Sequence, residues 1–213
     1  MKFLNCAICL WVCCGLALAA PGKDVPIKSV PIFNGTDLDG WFPFLPDKGA
    51  DTAKTWAVKD GRLTCTGTPA GYIRTTTQHA NYTLRVEWRW PGTPGNNGVL
   101  VHVQNVDEVW PKSIECQLQH GNAGDFWVIG GAEFAEHEGQ LDRRVPKRTA
   151  TSEKPLGAWN EYLIECRGDT ITVWVNGVLQ NKATSCSLTQ GYIALQSEGA
   201  PIEYQNITLT PLE

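Results

Sequence analysis

Five polar side chains in two short stretches are spaced to do chemistry together. In residues 97–104, His102 and Gln104 alternate with Val101 and Val103. In residues 113–120, Glu115, Gln117 and Gln119 alternate with Ile114, Cys116 and Leu118. Side chains of a strand point to opposite faces with period two, so each stretch has one apolar face and one face bearing His, Glu and Gln. A carboxylate, an imidazole and amides on a rigid sheet offer donors and acceptors spaced like those of sugar hydroxyls. The plainer reading is a half-buried antiparallel pair with its polar side in solvent.

Such faces need a sheet to hold them, and the rest of the chain supplies strands. Trp56 to Cys65 is a hairpin turning at Asp60-Gly61, and Asn176-Gly177 marks another after Thr170 to Val175. Tyr82 to Trp90 is a long strand with Tyr82, Leu84, Val86, Trp88 and Trp90 on one side and Thr83, Arg85, Glu87 and Arg89 on the other. Residues 121–158 lack periodicity and are rich in glycine, as functional loops are. No stretch has the pattern of a long helix, which excludes parallel βαβ folds. Roughly a dozen short strands with regular turns predict an all-β sandwich or barrel.

Composition narrows the partners. The 213 residues carry a net charge of −4 with no basic block, so nucleic acid and anionic membranes are excluded as natural partners. Residues 1–20 read as a signal peptide, with Lys2, an apolar run and Ala17-Leu18-Ala19 before Ala20-Pro21. A loose tail (21–30) and one domain (31–213) follow. The expectation is a secreted or periplasmic protein with no membrane span; Trp11-Val12 before Cys13 is a poor context for a lipid anchor. Cys65, Cys116, Cys166 and Cys186 then remain, an even number that allows one or two disulfides in an oxidising compartment. Nine tryptophans suit a core, and they also suit stacking on sugar rings.

Several motifs occur in an order that resembles one known family. They are Phe33-Asn34-Gly35 with Asp37-Leu38 and Gly40-Trp41, Asn97-Gly98-Val99, Glu115 with Gln117, Trp159-Asn160, Trp174 with Asn176-Gly177, Gly191 with Ile193 and Leu195-Gln196, and Asn206-Ile207. Together they resemble the 3-keto-disaccharide hydrolase family over nearly all of the domain. The resemblance implies a concanavalin A-like jelly roll of two antiparallel sheets, with carbohydrate on the concave one, and cleavage of 3-keto-glycosides. The chain departs from the family's pattern at Asn97, near His102, at Gln119 and at Glu198, where the family often has a histidine.

If these strands neighbour one another in one curved sheet, Arg85, Glu87, Arg89, His102, Glu115, Gln117, Gln119, Gln196 and Glu198 line a single groove. Two carboxylates there, Glu87 and Glu115, would form the kind of pair that glycoside hydrolysis needs, though Arg85 and Arg89 would keep Glu87 ionised. The keto-sugar route asks for a base at C2, a donor for the enolate oxygen and an acid for the leaving group. Glu115 or His102 suits the base, and Arg89 the enolate. No cofactor is certain; a divalent metal ion held by His102, Glu115 or Asp125 is an alternative. Gln117, Gln119, Asn97, Gln196, Glu198, Arg85 and Trp127 are the candidates for binding the sugar. The expected function is thus cleavage of 3-keto-glycosides by elimination or hydrolysis, with a non-catalytic carbohydrate-binding module as the alternative.

Overall fold

The structure, a computed structural model, describes residues 28–104 and 108–213. The expected signal peptide, and the expected tail up to residue 27, lie outside the described residues. In chain order the first strands are β1 (Val30–Pro31), β2 (Trp41–Phe44), β3 (Trp56–Lys59), β4 (Arg62–Cys65) and β5 (Gly71–Thr75). Then come β6 (Tyr82–Arg89), β7 (Gly98–Val103), β8 (Ser113–Gln117), β9 (Phe126–Ile129) and β10 (Arg144–Val145). The last third holds β11 (Asn160–Arg167), β12 (Thr170–Val175), β13 (Val178–Ala183), β14 (Tyr192–Ser197) and β15 (Ile202–Pro211). Short 3-10 turns at Thr52–Lys54 and Ala135–His137 are the only helical pieces among the described residues.

The strands form two antiparallel sheets packed face to face, the expected jelly-roll-type sandwich. The first runs β13-β12-β11-β6-β15-β4-β3 with β1 on β15, and the second β10-β9-β8-β7-β14-β5-β2. Both hairpin turns form as expected: Asp60-Gly61 and Asn176-Gly177 have positive φ at both central residues, which matches the twist of the flanking strands.

The two sheets differ in how they meet water. In β6 and β11 every second residue is buried, and the alternate ones are partly exposed except at the outer end of β11. In β7 and β8 every residue is buried. Their inner face (Val99, Val101, Ile114, Cys116) packs into the main core, while Leu100 and Val103 join Tyr72, Ile129 and Ala194 in a second apolar cluster on the other face. Alternation predicts a polar face there, solvated on the plainer reading, and the structure covers most of it.

The disulfides allowed by the cysteine count do not form. Cys65, Cys116, Cys166 and Cys186 are free and buried thiols. Burial raises the thiol pKa to about 11 at Cys65 and to about 12 at Cys166 and Cys186, which makes them poor nucleophiles.

Candidate functional site

A cleft of about 210 Å³ opens on the face of the second sheet that points away from the core. Its floor is built by three neighbouring strands: Glu115 and Gln117 from β8, Gly98 from β7, and Gln196 from β14. Glu198 follows at the end of β14, Trp127 and Ile129 come from β9, and Trp110 stands at the mouth. Arg143, just ahead of β10, closes the side, its guanidinium 5.6 Å from the centre of the Trp127 ring. Asn96 completes the lining beside Glu198.

Glu115 is the central group. It is 5% exposed, and its Oε1 has no hydrogen-bond partner. Burial, reinforced by the negative field of Glu198, raises its pKa to about 8; Arg143 and Gln196 pull the other way and are outweighed. At neutral pH it is therefore mostly the neutral acid. Glu198 is also raised by burial, against the opposing effects of Asn96 and Arg143, and it is the less enclosed of the two. Two carboxyls with unequal surroundings beside one guanidinium form a constellation suited to acid–base work.

Of the expected site residues, the structure brings together Glu115, Gln117, Trp127, Gln196 and Glu198. Gln117 is partly committed, because its Oε1 accepts from the backbone N–H of Leu118 and Gln119. Gln119 lies outside the cleft lining and accepts from Asn122 at 2.7 Å. Asn97 points into the sandwich, donating to the Gln196 carbonyl at 2.7 Å and accepting from the Tyr204 hydroxyl at 2.5 Å. Its role is to tie the two sheets together under the cleft.

Four expectations are corrected by the layer in which the residues lie. Arg85, Glu87 and Arg89 belong to β6, which is in the other sheet, and they face outward from it. Arg85 pairs there with Glu87 and Glu161 at 2.6 Å each, and Arg89 with Glu203 at 2.7 Å. Alternation along β6 gave the correct face but said nothing of which sheet holds it, and the turn between β6 and β7 crosses the sandwich. His102 fails for a different reason. One extra residue in β7 opposite β14 makes a β-bulge, with His102 at φ 56°. The bulge sends Val103 to the outer face and His102 inward, where Nδ1 lies 3.0 Å from the Leu188 carbonyl and the ring meets Tyr82 edge-on.

The proposed metal set disperses in the same way. His102 is inside, and Asp125 is held by Arg144 at 2.7 Å and by the Lys147 backbone N–H at 2.8 Å. Among the described residues no three His, Cys, Asp or Glu side chains gather as a metal site. The sequence reading missed Arg143, Trp110, Asn96 and Ile129. All but Ile129 lie outside the regular strands, where no periodicity marks a side chain as facing the cleft.

The family profile for a 3-keto-alpha-glucoside-1,2-lyase-like domain matches residues 28–210. The chain belongs to that family. No curated protein matches it. Among solved structures it is similar to a protein of Parabacteroides distasonis ATCC 8503 provisionally classed as a glycosyl hydrolase, at 22% identity and a TM-score of 0.65, covering 87% of this chain and 94% of that one. It is also similar to a Bacillus licheniformis beta-glucanase at 12% identity and a TM-score of 0.60, over 87% and 98% of the two chains. A Bacillus subtilis carbohydrate-binding module follows at 12% identity and a TM-score of 0.58, over 80% and 95%. At these identities the three share the fold with this chain. Family and fold are thus those of carbohydrate-active proteins.

Proposed function

We propose that the protein cleaves 3-keto-glycosides by elimination across C1 and C2 of the oxidised sugar. The observation that supports this most is Glu115, a buried acid with a pKa of about 8, set beside a second carboxyl and a guanidinium in an aromatic-lined cleft. A keto group at C3 acidifies the C2 hydrogen. Glu198, the more open carboxyl, takes that proton, and Arg143 supports the negative charge that develops on the C3 oxygen. The C1–O bond breaks, its electron pair leaves with the oxygen, and Glu115 supplies the proton that oxygen needs. The product is a 1,2-unsaturated 3-keto sugar. Water then adds at C1, giving a proton to Glu115 while Glu198 returns its own to C2, so both carboxyls recover their starting states. Trp110 and Trp127 offer ring faces to the sugar, and Gln117 and Asn96 offer polar groups to its hydroxyls.

The test is to incubate the protein with a 3-keto-glycoside and with the parent glycoside, following the released alcohol and the unsaturated ketone. Turnover of the keto sugar alone is expected, with Glu115→Gln and Glu198→Gln both inactive. Binding of sugar without turnover would make the same cleft a lectin-like module. The apolar stretch in residues 4–18 supports export as part of this reading, which the N-terminal mass of the mature protein checks.

A further inference from the structure

Glu115 stands on β8 and Gln196 on β14, and β7 runs between those strands. Their side chains meet across it because the intervening position is Gly98. A methyl group on Gly98 would lie 2.4 Å from Glu115 Oε1 and 2.5 Å from Gln196 Oε1, so the two oxygens converge over the bare Cα. Glu115 is 5% and Gln196 1% exposed, and neither oxygen has a hydrogen-bond partner. Two unpartnered acceptors aimed into one gap are unfavourable, and buried polar atoms rarely stay so without a reason. A proton on one of them satisfies both. A carboxyl can carry it and an amide oxygen cannot.

We infer that Gln196 is a positioning residue for the Glu115 proton: its oxygen accepts from the neutral carboxyl through the Gly98 gap, and its amide turns over to donate to the carboxylate once the proton has left. The amide offers an acceptor at one end and a donor at the other, so Glu115 keeps a partner in both of its states. The charged groups facing Glu115 are Glu198 beyond β14, which disfavours its ionised form, and Arg143 ahead of β10, which favours it. From β7 and β9 it meets the uncharged Gly98 and Trp127. Glu198 and Arg143 bias where the proton leaves, and Gln196 lets it leave without stranding a buried charge. The inference rests on the acid role proposed above for its catalytic meaning, but its test needs no substrate.

The test is NMR on isotope-labelled protein without ligand, from about pH 5 to pH 10, a range that brackets the carboxyl and its raised midpoint. The Glu115 carboxyl carbon is assigned by its loss in Glu115→Gln, and the Gln196 side-chain amide by its loss in Gln196→Met. The two signals should shift with one midpoint in the wild type, and the Gln196 amide should stay still in Glu115→Gln. In Gln196→Met the Glu115 midpoint should rise by about one unit, because the charge-assisted bond lost from the carboxylate is stronger than the neutral one lost from the acid. A Gln196 amide that ignores the Glu115 titration overturns the inference, as does an unchanged or lowered midpoint in Gln196→Met. Co-titration in a protein that turns over no keto sugar would uphold the proton arrangement and reject the proposed reaction.

Discussion

At the scale of single residues, the same burial that makes Glu115 an acid should weaken the fold in alkali. Its native pKa of about 8 lies above the ordinary value of 4.5, so the neutral side chain suits the folded protein and the ionised one does not. Its contribution to stability is full below about pH 4.5 and is lost as pH rises through about 8, roughly 4–5 kcal/mol over the window. Glu115→Gln keeps the shape without the charge. Its melting temperature should match the wild type at pH 5 and exceed it at pH 8.5, while turnover of a keto-glycoside falls by about 10²–10⁴-fold. Equal melting curves at both pH values would remove the buried-acid account. For Arg143, alanine should lower kcat by about 10²-fold or more, with lysine restoring part of the loss, because a point charge replaces a planar fork. A change confined to KM would instead make Arg143 a residue that only holds the sugar.

At the scale of strands, β7 carries two departures from simple alternation, and each has a measurable effect. Gly98 is the first: Gly98→Ala places a carbon within 2.5 Å of two buried oxygens. The side chains must move, costing about 1–3 kcal/mol and disturbing the acid along with the fold. Urea unfolding with a parallel activity assay would separate the two, and unchanged stability would mean that the strands yield more easily than the packing implies. The bulge at His102 is the second. Burial lowers the pKa of this histidine from its ordinary 6.5, so its contribution to stability is present above about pH 6.5 and fades as pH falls. His102→Gln should flatten the acid limb of the stability curve. Alternation placed Glu115, Gln117 and Gln196 correctly because β8 and β14 keep their pleat up to those residues. It misplaced His102 because an inserted residue reverses every face beyond it, and no turn residue or proline in 99–104 announces the insertion.

At the scale of the whole sandwich, the fold class was legible and the grouping of strands was not. Turn pairs such as Asn176-Gly177 and the alternation of β6 and β11 require antiparallel sheets whatever the topology. Which sheet a strand joins depends on crossovers that leave no local trace, so the charged face of β6 was set beside β8 when a full layer separates them. The tie between layers can be tested directly. Tyr204→Phe removes the hydroxyl that Asn97 accepts and leaves a buried acceptor one bond short, at a cost of about 1–3 kcal/mol seen in chemical unfolding. Because the four core thiols are free, reductant should leave the melting temperature of the protein unchanged. A drop would reveal pairing between them. The second apolar cluster has one more effect. Leu100, Ala194 and Tyr72 are fully covered on the very face that bears Glu115, so an apolar patch adjoins the hollow. Leu100 stands opposite Glu115 in the pairing of β7 with β8, so this covered patch is part of what keeps water from the acid.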